Sequence, residues 1–244
     1  MELSCVKYVL LDIEGTVLPI SFVKDVLFVY ARRHLEEFLE ENWLKTEVQH
    51  AVKEIQKFAE ANSESPAIDI TSKISVVKNV SWQMDRDLKT AGLKALQGQI
   101  WYSGYKKRDL LGDLYPDVYP ALKKWSERGI KIGIYSSGSI LAQRLLFEHT
   151  TSGSLLNILD SFHDQTTAGS KLEPSSYAAI VEQISCPAEN ILFLTDVYEE
   201  YQAARAAGIK SVIVLRDGNK PLGKEKEEKE RVKLISTFHE LQLD

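Results

Sequence analysis

Cysteine is almost missing from this 244-residue chain: only Cys5 and Cys186 occur. They lie far apart without metal-ligand spacing, which excludes a disulfide miniprotein and predicts two reduced thiols in a cytoplasmic setting. No apolar run approaches the roughly 20 residues that cross a bilayer. The opening stretch MELSCVKYVLLDIEG reaches acidic residues too soon for a secretory leader and lacks an Arg- and Ser-rich transit pattern. No basic block is present, and 30 Lys and Arg stand against 35 Asp and Glu for a formal charge of −5. A mildly acidic chain is a poor binder of nucleic acid or anionic membrane, so neither is expected as a partner. The five histidines, His34, His50, His149, His163 and His239, show no ligand spacing and read as surface or packing residues. The run KEKEEKER, residues 224–231, mixes its signs and reads as a solvated helix or loop.

What is present is ordinary globular composition, 44% hydrophobic and 27% charged, in a chain long enough for a core and a second small domain. VKYVLLDIEGT, a short aliphatic run halted by Asp12 and Gly15, reads as a buried strand of a parallel sheet. From Ser21 to Trp43 the apolar residues take helical spacing, and Val48–Ala59 continues it. Two further helical segments are expected around Ile74–Trp82 and Leu88–Ile100. Beyond Pro116 the pattern alternates. DVYPALKKWSERG, Leu141–His149, Ser175–Ile184 and Glu199–Ala207 read as helices, and IKIGIYSSG, a short segment near Phe162, NILFLTD and SVIVL as strands. Such alternation predicts βαβ units and an α/β fold with a parallel sheet covered by helices. The expected division is an α/β core of residues 1–20 and 114–244, with an all-helical cap, 21–113, inserted after the first strand.

In an open α/β sheet, ligands bind beyond the carboxyl ends of the strands. Three strands end there in polar residues: Asp12-Ile13-Glu14-Gly15-Thr16, Ser136-Ser137-Gly138 and Thr195-Asp196. A loop, Thr166 to Lys171, brings one lysine. A carboxylate such as Asp12 can attack phosphorus to give a hydrolysable acyl-phosphate. Glu14 can protonate the leaving alkoxide and then deprotonate water. Mg²⁺ keeps several waters, so Asp12, Asp196 and an oxygen from Glu14 would suffice to hold it. Ser136 and the following N–H groups suit phosphoryl oxygens, and Lys171 adds a positive charge to them. Singly these motifs are weak: the first turn could merely end a strand, and Asp196 could cap a helix. Together and in this order they point to phosphoryl transfer.

The chain thereby resembles the haloacid dehalogenase-like phosphohydrolases, whose four motifs are matched by Asp12 to Thr16, Ser136, Lys171 and Asp196, with an inserted helical cap. Most such enzymes have aspartate at the position of Glu14. Glutamate there, followed by Pro19 to Asp25, is similar to the enolase-phosphatase family of methionine salvage. So are Leu96-Gln97-Gly98, Trp101 and Gly104-Tyr105, Ile134 to Ser139 with Gln143, Gly169-Ser170-Lys171 with Ser176-Tyr177, and Phe193 to Asp196 with Glu200. The resemblance runs from about Val9 to about Gly208. Two positions depart from it: Val29, where proline is expected, and Tyr201-Gln202 in place of Leu-Asp.

The resemblance implies a Rossmann-like core of the haloacid dehalogenase type and a two-step enzyme. A phosphorylated diketone, 2,3-diketo-5-methylthiopentyl-1-phosphate, would be enolised and then dephosphorylated to the acireductone 1,2-dihydroxy-3-keto-5-methylthiopentene. It also implies Asp12 and Glu14 as catalytic residues. Ser136, Ser137 and Lys171 would bind substrate, and Asp12, Glu14 and Asp196 one Mg²⁺ per subunit. A monomer in the cytoplasm is expected, with the nucleus added for a eukaryotic source. Other readings are a different small-molecule phosphatase of the superfamily, a dehalogenase, against which Glu14 and Asp196 argue, and an inactive binding module, for which no motif residue is missing. Trp82 and Trp101 read as core residues. Tyr105, after Gly104, is the better candidate for substrate contact, and His163 stands apart from the other histidines only in lying after an expected strand near the Lys171 loop.

Overall fold

The computed structural model describes residues 3, 5–223 and 232–243. The charge run at 224–231 lies outside the described residues. Contacts within the chain gather into two compact units, Val23–Leu110 and Met1–Phe22 with Leu111–Asp244. No helix among the described residues is long and apolar enough to cross a membrane.

The helical unit holds α1 (Phe28–Asn42), α2 (Thr46–Ala61), α3 (Lys73–Asp85) and α4 (Ala91–Lys107). Leu35, Leu39, Val52, Ile55, Val80, Leu96 and Ile100 form its core, each contributing about 1.5–3 kcal/mol by burial. Two elements differ from the sequence reading. The segment expected as one helix from Ser21 begins as a π-helical stretch, Phe22–Leu27, before α1. α4 starts at Ala91 rather than Leu88, because the Thr90 hydroxyl accepts the Leu93 N–H and so fixes the N-terminus there. Trp101 donates its indole N–H to the Leu27 carbonyl at 2.8 Å and packs against this core, and Tyr105 is a buried residue of α4. Val29 is exposed on the first turn of α1, which explains why a residue other than proline is accommodated there.

The second unit is α/β. Its strands are β1 (Tyr8–Leu11), β2 (Lys131–Tyr135), β3 (Ser161–His163), β4 (Ile191–Thr195), β5 (Lys210–Val214) and β6 (Leu234–Ile235). All pair in parallel, in the order β3-β2-β1-β4-β5-β6. Helices α5 (Val118–Glu127), α6 (Ile140–Glu148), α7 (Pro174–Ile184) and α8 (Tyr198–Ala206) link them. Side chains alternate between the faces. Tyr8, Leu10, Tyr135, Ile191 and Phe193 cluster with Tyr177 and Ile180 of α7 and Ala203 and Ala204 of α8. Val9, Leu11, Ile132, Ile134, Leu192 and Leu194 are fully buried on the opposite face. Tyr201, the departure noted in α8, is buried, with Arg205 donating to its hydroxyl at 3.3 Å.

Gly133 lies in the middle of β2 for a steric reason: a Cβ there would stand 2.5 Å from Tyr8 Oη and 2.6 Å from Ser161 Oγ. Its absence lets the Tyr8 hydroxyl reach Ser161, with 2.6 Å between the oxygens. The strand order reverses about β1: the chain builds outward through β2 and β3, then crosses to β4 on the other side. That switch point opens a crevice beyond the carboxyl ends of β1 and β4.

Candidate active site

Asp12 follows β1 directly and is buried. Its N–H donates to the Leu194 carbonyl at 2.9 Å, continuing the ladder with β4. The chain then turns tightly, with Val17 N–H donating to Ile13 O at 2.9 Å and Gly15 N–H to Leu18 O at 2.8 Å. Gly15 has φ +72, and a Cβ on it would overlap Asp196 Oδ2. Only glycine allows both the left-handed turn and the close approach of Asp196. Glu14 has its side chain exposed on this turn.

Lys171 is buried, and its Nζ donates to Asp12 Oδ1 and, at 2.7 Å, to Glu200 Oε2. The Glu200 oxygen also accepts the Thr195 hydroxyl at 2.7 Å. The lysine is thus delivered to the carboxylate that the sequence reading offers as nucleophile. Its loop is held from several sides. Tyr177 donates to the Lys171 carbonyl at 2.8 Å and Tyr135 to the Gly169 carbonyl at 2.9 Å. Pro174 begins α7 just beyond. Asp164 Oδ1 accepts the Thr166 and Thr167 N–H groups, each at 2.9 Å, and Oδ2 accepts Ile140 N–H at 3.1 Å, tying this loop to the start of α6.

Ser136 is buried at the end of β2, and Ser137 is exposed beside it. The Ser136 N–H is taken by the His163 carbonyl at 3.2 Å, and its hydroxyl accepts Gly138 N–H at 3.3 Å. Asp196 follows β4 without capping α8. The N-cap residue is Val197, whose N–H donates to Thr195 Oγ1 at 3.1 Å. His163 belongs to a structural line, with Nε2 2.7 Å from Ser161 Oγ and Nδ1 2.9 Å from Gln183 Oε1.

Charge is the outstanding property of the cluster. Burial raises the Asp196 carboxyl to about 7, with the charges of Asp12 and Glu200 adding to the effect. Burial, then Asp12, raises Glu200 to about 7 as well. Burial alone would lower Lys171, but Asp12 and Glu200 hold it above its ordinary value. Three carboxyl groups therefore share one ammonium. A buried excess of negative charge is costly without further cation. No three His, Cys, Asp or Glu side chains among the described residues already stand as a metal cage. An ion here would draw on two carboxylates, a turn oxygen and water, the mixed donor set that Mg²⁺ accepts. The Asn219 Oδ1, buried without a hydrogen-bond partner beside Gly15, adds a polar atom facing the same corner.

The sequence reading singled out Asp12, Glu14, Ser136, Ser137, Lys171 and Asp196. The structure brings Asp12 and Lys171 into contact and sets Asp196 against the turn that bears Glu14. Glu200, Asp164 and Asn219 carried no assigned role. Glu200 entered the sequence reading only through the family resemblance, and as an acidic residue in a first helical turn its type and position alone assign it no role.

A model of the haloacid dehalogenase-like hydrolases matches residues 6–208. The enolase-phosphatase E1 of Xenopus tropicalis is 45% identical over 97% of this chain and 94% of its own length. That of Aquifex aeolicus (strain VF5) is 41% identical over 98% of this chain and 100% of its own. Among solved structures, the UTR4 protein of Saccharomyces cerevisiae superposes with a TM-score of 0.77 at 30% identity, covering 97% of this chain and 100% of that one. The motif order, the parallel sheet and these likenesses agree: the chain belongs to the enolase-phosphatase E1 family of the haloacid dehalogenase-like hydrolases.

Proposed function

We propose that this phosphatase takes 2,3-diketo-5-methylthiopentyl-1-phosphate as substrate, enolises it and then removes its phosphate to leave the acireductone 1,2-dihydroxy-3-keto-5-methylthiopentene. The setting is L-methionine salvage in the cytoplasm, and the enzyme acts as a monomer with the helical unit as its cap. The observation that carries the phosphoryl-transfer half is the buried Asp12 carboxylate at the switch point, with the Lys171 ammonium on one of its oxygens. The diketone and the enolisation rest on the family.

Lys171 engages Oδ1 of Asp12, so Oδ2 is the oxygen left to attack phosphorus. The bond between phosphorus and the ester oxygen breaks, and that oxygen, leaving as the substrate's alkoxide, takes a proton from Glu14. The exposure of Glu14 on its turn supports this role. The phosphoryl group now sits on Asp12 as an acyl-phosphate. Glu14, as carboxylate, next draws a proton from water. That oxygen attacks phosphorus, releases inorganic phosphate and restores Asp12. Lys171 remains between Asp12 and Glu200 and offsets negative charge as it builds on the phosphoryl oxygens. Ser136 and Ser137 hold those oxygens from the end of β2.

Hydrolases of this family generally depend on Mg²⁺. Asp12, Asp196 and an oxygen of Glu14 would hold it, and the surplus of carboxylates around Lys171 fits a divalent cation. When bound, it supplies positive charge to phosphoryl and enolate oxygens. The test follows the diketone phosphate by ultraviolet absorbance and phosphate release together, with and without Mg²⁺. Enol formation followed by stoichiometric phosphate, lost in excess chelator, is the expected result. Phosphate release from simple esters with no reaction of the diketone would make it another phosphatase of the superfamily.

A further inference from the structure

Two successive carbonyl oxygens just beyond Glu14 are gripped by side chains from the segment after β5. Asn219 donates through Nδ2 to the Gly15 oxygen at 2.8 Å and to the Val214 oxygen at 3.3 Å. Arg216 donates twice to the Thr16 oxygen, at 3.2 Å from Nε and 3.1 Å from one terminal nitrogen. Its other terminal nitrogen donates to Asp117 Oδ1 and to the Ser236 carbonyl, each at 2.8 Å. Asp117 is anchored in turn, its Oδ2 accepting Phe238 N–H at 2.6 Å. Arg216 is buried between the rings of Tyr115 and Phe238, 4.5 Å and 4.9 Å from their centroids.

This arrangement is more than a stable core requires. A buried ion pair is often no more stabilising than apolar residues of the same volume. Here most of the fork is spent on main-chain oxygens. The N–H groups of the same turn are also taken: Gly15 by Leu18 O at 2.8 Å, Thr16 by Ile13 O at 3.3 Å and Val17 by Ile13 O at 2.9 Å. Every peptide plane from Glu14 to Val17 is therefore fixed by at least one hydrogen bond, and the last two are fixed from both sides. All the peptide bonds among the described residues are trans. The Glu14 carbonyl must then point opposite to Gly15 N–H, away from Leu18.

We propose that Arg216 and Asn219 are positioning residues for the catalytic turn: by holding the Gly15 and Thr16 oxygens they set the direction in which Glu14 presents its oxygens beside Asp12. This rests on the reading of Asp12 and Glu14 given above. Asn219 has a second contribution. Its Oδ1 is buried without a partner, and a Cβ on Gly15 would lie 3.2 Å from it while overlapping Asp196 Oδ2. The amide therefore holds the turn with one atom and faces the Asp196 corner with the other. An acceptor there has no proton to give the Asp196 carboxylate, so its effect on a divalent cation would run through a water held by that ion, while the amide nitrogen acts through the Gly15 turn that bears Glu14.

The test compares the full-length parent with Asn219→Ala and Arg216→Lys. The lysine keeps a charge for Asp117 but has no planar fork for the Thr16 oxygen. Mg²⁺ alone is titrated calorimetrically into each, kcat and KM are measured on the diketone phosphate, and thermal melting reports folding. The expected result is ~10-fold or greater loss in kcat and in Mg²⁺ affinity for both variants. KM should change by less than about twofold, and Asn219→Ala should still melt cooperatively. Variants that fold but keep kcat and Mg²⁺ affinity within about twofold of the parent would overturn the proposal. Should Asn219→Ala not fold, Asn219→Ser, whose hydroxyl is too short to reach the Gly15 oxygen, carries the same comparison. The two readings separate cleanly. A parent inactive on the diketone phosphate condemns the functional reading, whereas Mg²⁺ affinity lost in the variants supports the clamp independently of turnover.

Discussion

Glu200 holds Lys171 from behind: its Oε2 stands 2.7 Å from the ammonium and also accepts the Thr195 hydroxyl at 2.7 Å. The lysine is thereby pinned between two carboxyl groups, Glu200 and Asp12, the second of which is the proposed nucleophile. Neither Lys171 nor Asp12 can move without disturbing the end of β4.

Glu200→Gln keeps the shape and an oxygen for Thr195 but removes one counter-charge from Lys171. The ammonium then rests on Asp12 alone and competes with the nucleophilic role proposed for it. Urea unfolding should show a loss of about 1–3 kcal/mol, the usual cost of a compromised buried polar group. Phosphate release should slow by ~10-fold or more. A variant with parental stability and rate would mean that Glu200 does not hold the lysine.

Gly15→Ala places a methyl group against Asp196 Oδ2 on a backbone with φ +72. The left-handed conformation alone costs an L-residue about 1–2 kcal/mol. Asp196 must also swing away from the turn. Chemical denaturation should report the modest loss of stability, while Mg²⁺ affinity and phosphate release collapse together. Equal, small losses in all three would place Asp196 outside the metal's reach.

His163 should make the protein acid-sensitive. Gln183 donates from Nε2 to the Thr167 carbonyl at 2.9 Å, which leaves its Oε1 to accept from His163 Nδ1. His163 Nε2 then accepts from the Ser161 hydroxyl, which in turn takes the Tyr8 proton. A second ring proton would set donor against donor. Burial holds His163 below its ordinary value, against the opposing effects of the Gln183 hydrogen bond and the Asp164 charge. As pH falls past about 6.5 the unfolded histidine takes up a proton while the folded one does not, so stability declines from there down to the folded value. Unfolding midpoints measured against pH should fall in this window for the parent, and less steeply for His163→Gln. Identical slopes would show that His163 titrates as it does when unfolded.

Much of this was legible in the sequence because it is local. Asp12, Ser136 and Asp196 stand at the ends of short aliphatic runs, and a strand end in a parallel sheet is where ligands meet the chain. The helical insertion announced itself by a change of period at Ser21. What stayed hidden is what depends on distant partners. Nothing near Arg216 signals Asp117 or Thr16, which only the folded sheet brings to it. β6, of two residues, is too short to carry a pattern. Glu200 looks like any acidic residue in the first turn of a helix, and its meaning appears only when Lys171 arrives from the loop before α7.

Asp12→Asn is the most direct test of the two-step account. The amide keeps the shape and one oxygen for the metal but removes the nucleophile that forms the acyl-phosphate. With saturating Mg²⁺ and the diketone phosphate in heavy water, phosphate release and deuterium entry at C1 are followed side by side. The account predicts no phosphate but slow deuterium uptake, with enol phosphate accumulating. Phosphate release near the parental rate would contradict Asp12 as nucleophile, and loss of deuterium uptake while Mg²⁺ still binds would contradict the separation of the two half-reactions.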